Sequence, residues 1–272
     1  MTAVATITDR VTTRLTEFGL TTAARDWVPR FTHAAQEAAL PLVLELLDLE
    51  ADERRHRRIA RFRQAARLPP GKTCETLDGG RLPLPLMQQL QHLATGAFLE
   101  TATNVLAFGL PGVGKSHALC AVADALIDAG HRVLFAPAYA LVQDLLAAKR
   151  ALELPRALRK LDLFEAILID DIGYVQQSPE EAEVLFTLLA ERYERRSVLI
   201  TSNLVFSQWE RIFRDQMATA AAIDRLVHHA VILEFDVPSF RIDRSRPSAP
   251  VNRPPAPRGR PPGPLVTRKR RA

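Results

Sequence analysis

Cysteine is almost missing from this chain: 272 residues hold two. Cys74 and Cys120 stand far apart without CxxC spacing, so neither a disulfide framework nor a cysteine zinc site is expected, and both read as inert packing residues. His228 and His229 are adjacent instead of one helical turn apart, which argues against a shared metal site. Long apolar runs are also lacking. No uncharged apolar run reaches the roughly 18 residues that a bilayer-crossing helix needs, and Asp9 and Arg10 come too early for the apolar part of a signal peptide. A cytoplasmic protein with no membrane partner is expected. A strongly charged body is absent too, although the net charge is +5. From Arg241 onward ten basic residues face Asp243 alone, so that stretch carries +9 and residues 1–240 carry −4. The basic balance therefore does not by itself make the folded body a nucleic-acid binder.

What is present divides the chain into four parts. Residues 241–272 contain eight prolines and almost no large apolar side chains, which predicts a disordered Pro/Arg-rich basic tail. Residues 1–68 read as a small helical domain, with LPLVLELLDLEADERRHRRIARFRQAARL running without glycine until PPG at 69–71. Along it Arg54, Arg57, Arg58 and Arg61 share one face at helical spacing, while Ile59, Phe62 and Ala66 share another. Such a stripe suits contact with a duplex DNA backbone, and it equally suits an ordinary solvated helix. Residues 69–85, rich in Pro and Gly, read as a linker. Residues 86–240 alternate short apolar runs with helical stretches; the strands expected are 104–108, 132–136, 166–170, 197–202 and 230–235. Near-continuous apolar strands between helices mean an α/β fold with a five-stranded parallel sheet covered on both faces.

Chemistry gathers at the ends of those strands. GLPGVGKS, Gly109 to Ser116, follows the first strand, satisfies G-x-x-x-x-G-K-[ST] and opens a helix, which is the context a P-loop requires. Gly109, Leu110, Pro111, Gly112, Val113, Gly114, Lys115, Ser116 and His117 make up the expected ATP-binding stretch, because glycines let backbone N–H groups close on phosphate oxygens at a helix N-terminus. Lys115 suits the β and γ phosphates, and Ser116 suits Mg²⁺. In AILIDDIG, Asp170 ends a buried strand and suits the magnesium shell, while Asp171 is placed to polarise water. The letters D-x-x-G also admit a GTPase, but no N-K-x-D follows to read guanine. Asn203, after the fourth strand, reaches the same edge; its amide can hold water against a γ-phosphate, and Asn is also a common strand-end residue. Ser178, Pro179 and Glu181 read as a structural helix start. Around AAIDRLVHH, helical spacing sets Ile223, Leu226, Val227 and Ala230 on an apolar stripe and leaves Arg225 pointing outward, with no carboxylate three or four residues away.

In their order and spacing, GLPGVGKSH, ILIDDIGY, ERYERRSVLITSN and IDRLVHHAVILE resemble the IstB-like family of transposition helper ATPases, AAA+ proteins of insertion sequences related to the DnaC helicase loaders. The resemblance covers roughly residues 20–240. It implies a P-loop NTPase of AAA+ type with sheet order 5-1-4-3-2, Mg-dependent ATP hydrolysis, ATP-dependent self-association on duplex DNA, and a partner transposase encoded by the same element. It also implies that Asn203 is the family's sensor residue and Arg225 an arginine finger reaching into a neighbouring subunit. No lid follows the fifth strand, so a lid arginine is not expected. A DnaC-like helicase loader shares every nucleotide motif, and a small-molecule P-loop kinase is a third alternative.

Overall fold

The computed structural model describes residues 3–33, 36–174, 178–213 and 215–239; the stretch read as a disordered tail lies outside them. Ten helices are described: α1 (Ala3–Glu17), α2 (Val28–His33), α3 (Leu40–Ala66), α4 (Leu84–Ala94), α5 (Lys115–Ala129), α6 (Ala138–Arg150), α7 (Leu154–Leu161), α8 (Pro179–Arg192), α9 (Glu210–Phe213) and α10 (Gln216–Val227). The strands are β1 (Asn104–Gly109), β2 (Val133–Pro137), β3 (Ala166–Asp170), β4 (Ser197–Ser202) and β5 (Ala230–Phe235). β3, β4 and β5 have the expected bounds; β1 runs one residue further, and β2 is displaced by one. All five are parallel in the order β2-β3-β4-β1-β5, the expected order read from its other edge.

This order positions the site. After β1 the chain crosses through α5 to the far edge and then returns through β2, β3 and β4 to lie against β1 again. The carboxyl ends of β3, β4 and β1 are thereby neighbours at a point where strand order reverses, the place where open α/β sheets bind ligands.

Alternation along each strand divides the core. Val105, Ala107, Leu168 and Leu199 pack with Leu119, Val122 and Leu126 of α5 on one face. Leu106, Ile167, Ile169 and Ile200 pack with Leu145 of α6, Leu185 and Leu188 of α8 and Leu226 of α10 on the other. α8 begins with the expected capping box: Ser178 accepts from the N–H of Glu181, and the Glu181 side chain accepts from the N–H of Ser178. It ends at Arg192, 2% exposed, which donates to the carbonyls of Leu161, Phe164 and Ser197 at 3.0–3.1 Å and so ties the α7–β3 turn to β4. Burial lowers the Arg192 pKa to about 10, leaving it charged at neutral pH.

α3 spans two packing environments. Leu44 and Leu47 join Val11, Leu15 and Val28 in a separate cluster with α1 and α2. Further along, Ala66 is fully buried in the sheet-face core, and Ile59 and Phe62 pack against it. Arg63 also pairs with Asp124 and Asp128 of α5. Exposed ion pairs contribute about 0.2–1 kcal/mol each, whereas burying an aromatic or aliphatic side chain contributes about 1.5–3 kcal/mol, so the apolar face dominates this attachment. The helix ends at Arg67 in the left-handed region (φ 56°) before Pro69 and Pro70. The stretch read as a linker is fastened as well: Leu82 is buried in the same core, and Leu77 packs on it.

Candidate active site

Between β1 and α5 the glycine-rich loop is shaped by close backbone approach. A Cβ at Gly109 (φ 150°) would sit 2.6 Å from the Phe235 carbonyl oxygen of β5, and Gly114 (φ 100°) takes the left-handed conformation from which α5 starts. Val113, 1% exposed, anchors the loop in the core, while Leu110 is 73% exposed at its tip. Pro111 and Gly112 form the turn of the loop, and Ser116 is the second residue of α5. The first N–H groups of α5 have no partner within the helix, which with its dipole makes an anion site. Lys115 is buried and not open to solvent: its Nζ donates to the carbonyls of Gly109 (2.8 Å) and Leu110 (2.9 Å). His117, expected beside the nucleotide, turns Nε2 to Thr76 Oγ1 (2.9 Å) and Thr73 O (3.3 Å), joining α5 to the 73–76 turn.

Asp170 closes β3, and Asp171 follows it with φ 60°, an unusual value for a residue other than glycine. The Asp171 N–H donates to Thr201 Oγ1 (2.8 Å), and the Thr201 hydroxyl donates to Asp170 Oδ1 (2.7 Å). Asn203 is half-buried just past β4, and its Oδ1 is buried with no hydrogen-bond partner among the described residues. Gly173 presses against it, since a Cβ there would fall 2.4 Å from that oxygen. The Ser116 hydroxyl and Asp170 carboxylate are hard oxygen donors of the kind Mg²⁺ prefers.

Arg225 lies at the other end of the sheet. Asn104, the first residue of β1, donates through Nδ2 to Leu226 O (3.2 Å) and through its backbone N–H to His229 O (2.7 Å), so the end of α10 sits at the amino edge. A six-residue strand at about 3.3 Å per residue puts that edge roughly 16–20 Å from the glycine-rich loop, beyond the reach of an arginine side chain. The side chain is also less free than its spacing suggested. Its guanidinium lies 4.9 Å over the Phe186 ring of α8 and donates to Ala221 O (3.0 Å). Leu226 is buried as expected, whereas Val227, expected in the same apolar stripe, is 37% exposed, and Thr219 and Ala222 complete the buried face. Nearby, the His228 and His229 rings meet edge-to-face with centroids 4.3 Å apart, and Glu194 brings a third donor atom within 4.8 Å of theirs, all three side chains being exposed.

On α3, Arg54, Arg57, Arg58 and Arg61 are all exposed. With Arg14 of α1 and Phe18 in the turn just after it, they line a groove of about 1170 Å³. Arg54 pairs with Glu50 and lies over the Phe18 ring, and Arg57 pairs with Glu53. Cys120, buried on α5, has its thiol pushed up to about 12 by burial. Thr201, Asn104 and Arg14 were missed in the sequence because each meets a partner distant along the chain.

A family model described as IstB-like ATP binding protein matches residues 13–248. An insertion-sequence ATP-binding protein of Sinorhizobium fredii is 44% identical over 217 residues, 78% of this chain and 73% of that protein. The ATP-binding protein of insertion sequence IS21 from Pseudomonas aeruginosa is 39% identical over 193 residues, 71% of this chain and 73% of that protein. Among solved structures, the replication initiator DnaA bound to AMPPCP and single-stranded DNA aligns with a TM-score of 0.52 at 15% identity, over 63% of this chain and 52% of that one, a likeness of fold.

Proposed function

The chain belongs to the IstB-like ATP-binding protein family, and from that premise we propose that it is an ATP-hydrolysing helper of transposition. It binds Mg-ATP, assembles with further copies of itself on duplex DNA, and presents that DNA to the transposase of its own element, with hydrolysis resetting the complex. The carrying observation is that the P-loop, Asp170, Asp171 and Asn203 meet at the carboxyl ends of adjacent strands, while Arg225 stands at the opposite edge.

In this mechanism the backbone N–H groups of residues 109–117 and the Lys115 ammonium bind the β and γ phosphates, Lys115 leaving the loop carbonyls it now holds. Ser116 and Asp170 would hold magnesium, which supplies charge neutralisation at the phosphoryl oxygens. Asp171 orients and polarises the attacking water, and Asn203, with a buried polar atom to satisfy, holds that water in line. Arg225 cannot serve its own loop across the sheet, so it serves a second copy's, stabilising charge on the transferring phosphoryl group. Segment 1–68 grips the phosphate backbone through the arginine-lined groove.

The test is ATP turnover by the full chain with and without duplex DNA, read together with particle size. DNA-stimulated turnover and ATP-dependent growth of the particle are expected. Turnover indifferent to DNA by a chain that stays monomeric would refute the proposal.

A further inference from the structure

Thr201 is fully buried on β4, an inner strand, and follows Val198, Leu199 and Ile200. A hydroxyl in such a place is destabilising unless both its donor and its acceptor capacity are used. Here both go to one pair of residues. The β3–β4 register aligns Ile169 with Ile200, so the next residues along, Asp170 and Thr201, come side by side. Because the Asp171 N–H can only donate, Thr201 Oγ1 must be its acceptor (2.8 Å), and the single hydroxyl proton is then committed to Asp170 Oδ1 (2.7 Å).

We infer that Thr201 is the positioning residue of the acidic pair, making two carboxylates adjacent in sequence do two different jobs. The inference rests on the roles proposed above for Asp170 and Asp171. By donating to Oδ1, the hydroxyl fixes the Asp170 rotamer, so that the carboxylate would be offered to a cation in one fixed orientation. By holding the Asp171 N–H, it pins that residue at φ 60°, where the strand's alternation is broken and the second carboxylate leaves the line of β3. An adjacent pair in regular β geometry would point to opposite faces of the sheet. Thr201 touches neither nucleotide nor water in this role; it acts through the two aspartates.

Two substitutions separate the hydroxyl from the shape around it. Thr201→Val keeps the volume and removes both hydrogen bonds; Thr201→Ser keeps the bonds and removes a methyl. In the full chain free of nucleotide, exchange of the Asp171 amide, followed by NMR, is expected to quicken about tenfold or more in Thr201→Val and to stay near the parent in Thr201→Ser. Without magnesium, ATP affinity should be alike in all three proteins. With it, Thr201→Val should need about tenfold more Mg²⁺ for half-maximal turnover and turn over at least about tenfold more slowly, and Thr201→Ser should recover both. Parent-like magnesium dependence and turnover in Thr201→Val would overturn the inference, as would a Thr201→Ser protein as impaired as Thr201→Val. If the parent's nucleotide binding ignored Mg²⁺, the proposed roles of the aspartates would fail. Amide exchange would then still decide Thr201: loss of protection in the valine variant alone upholds it, and unchanged protection overturns it.

Discussion

At the carboxyl edge of the sheet, Lys115 is 5% exposed and holds two loop carbonyls at 2.8–2.9 Å, and the fully buried Thr201 bridges two aspartates at 2.7–2.8 Å. On α3, Arg54 and Arg57 are more than half exposed and pair with carboxylates one turn back on their own helix. The two regions differ in what holds their polar groups. Buried bonds fix atoms, which phosphoryl transfer requires, because a displacement of about an ångström can cost a hundredfold in rate. Exposed pairs are worth little and exchange partners freely, which suits a backbone read by its charge. In the function proposed above, one region serves placement, and the other would let phosphates replace Glu50 and Glu53.

The comparison can be broken first at Lys115. Lys115→Ala should weaken ATP binding by roughly a hundredfold or more and abolish measurable turnover, because a charge-assisted contact to phosphate disappears. Parent-like ATP affinity by calorimetry would remove the loop from the site. Next, Asp171→Asn should bind Mg-ATP within about threefold of the parent yet turn over roughly 10²–10⁴-fold more slowly, since general-base assistance is lost while Asp170 still serves the cation. Equal loss of binding and turnover would show the roles misassigned. The smallest effect is expected on α3. Replacing Arg54, Arg57, Arg58 and Arg61 with Gln, in chains truncated before Arg241 so that the tail's charges do not contribute, should flatten the log-log salt dependence of duplex binding by about 3 to 4 units. ATP affinity should not move. An unchanged slope would return the stripe to an ordinary solvated face.

Much of the carboxyl edge was legible because its signals are local. Glycine spacing, apolar strand runs and the ILIDD step each lie within one short segment, and parallel order follows from strands alternating with helices. The Ser178 capping box was readable for the same reason. What escaped depends on pairing across the sheet. Thr201 looks like one more β-branched strand residue until β3 lies beside it, and Asn104 looks like a strand start until α10 docks on it. Arg225 shows the same limit: intrahelical spacing can find a missing carboxylate but not Phe186 on another helix. Segment 69–85 read as linker by its prolines and glycines, yet Leu82 is buried in the core and Thr76 meets His117; composition reports the turns in a segment, not what its few apolar residues touch.

The central claim is that the two edges of the sheet meet only between copies, so that one chain's loop is completed by another chain's Arg225. Mixing tests it most directly. Arg225→Ala retains a working loop and should turn over ATP on the order of 10³-fold more slowly than the parent, while Lys115→Ala retains the arginine and alone should show no measurable turnover. Turnover of the mixture on duplex DNA, with mixed assembly verified by differential labelling, should clearly exceed the sum of the two separate proteins. A mixture that assembles and never exceeds that sum would contradict the account, and would leave Arg225 to its place over Phe186.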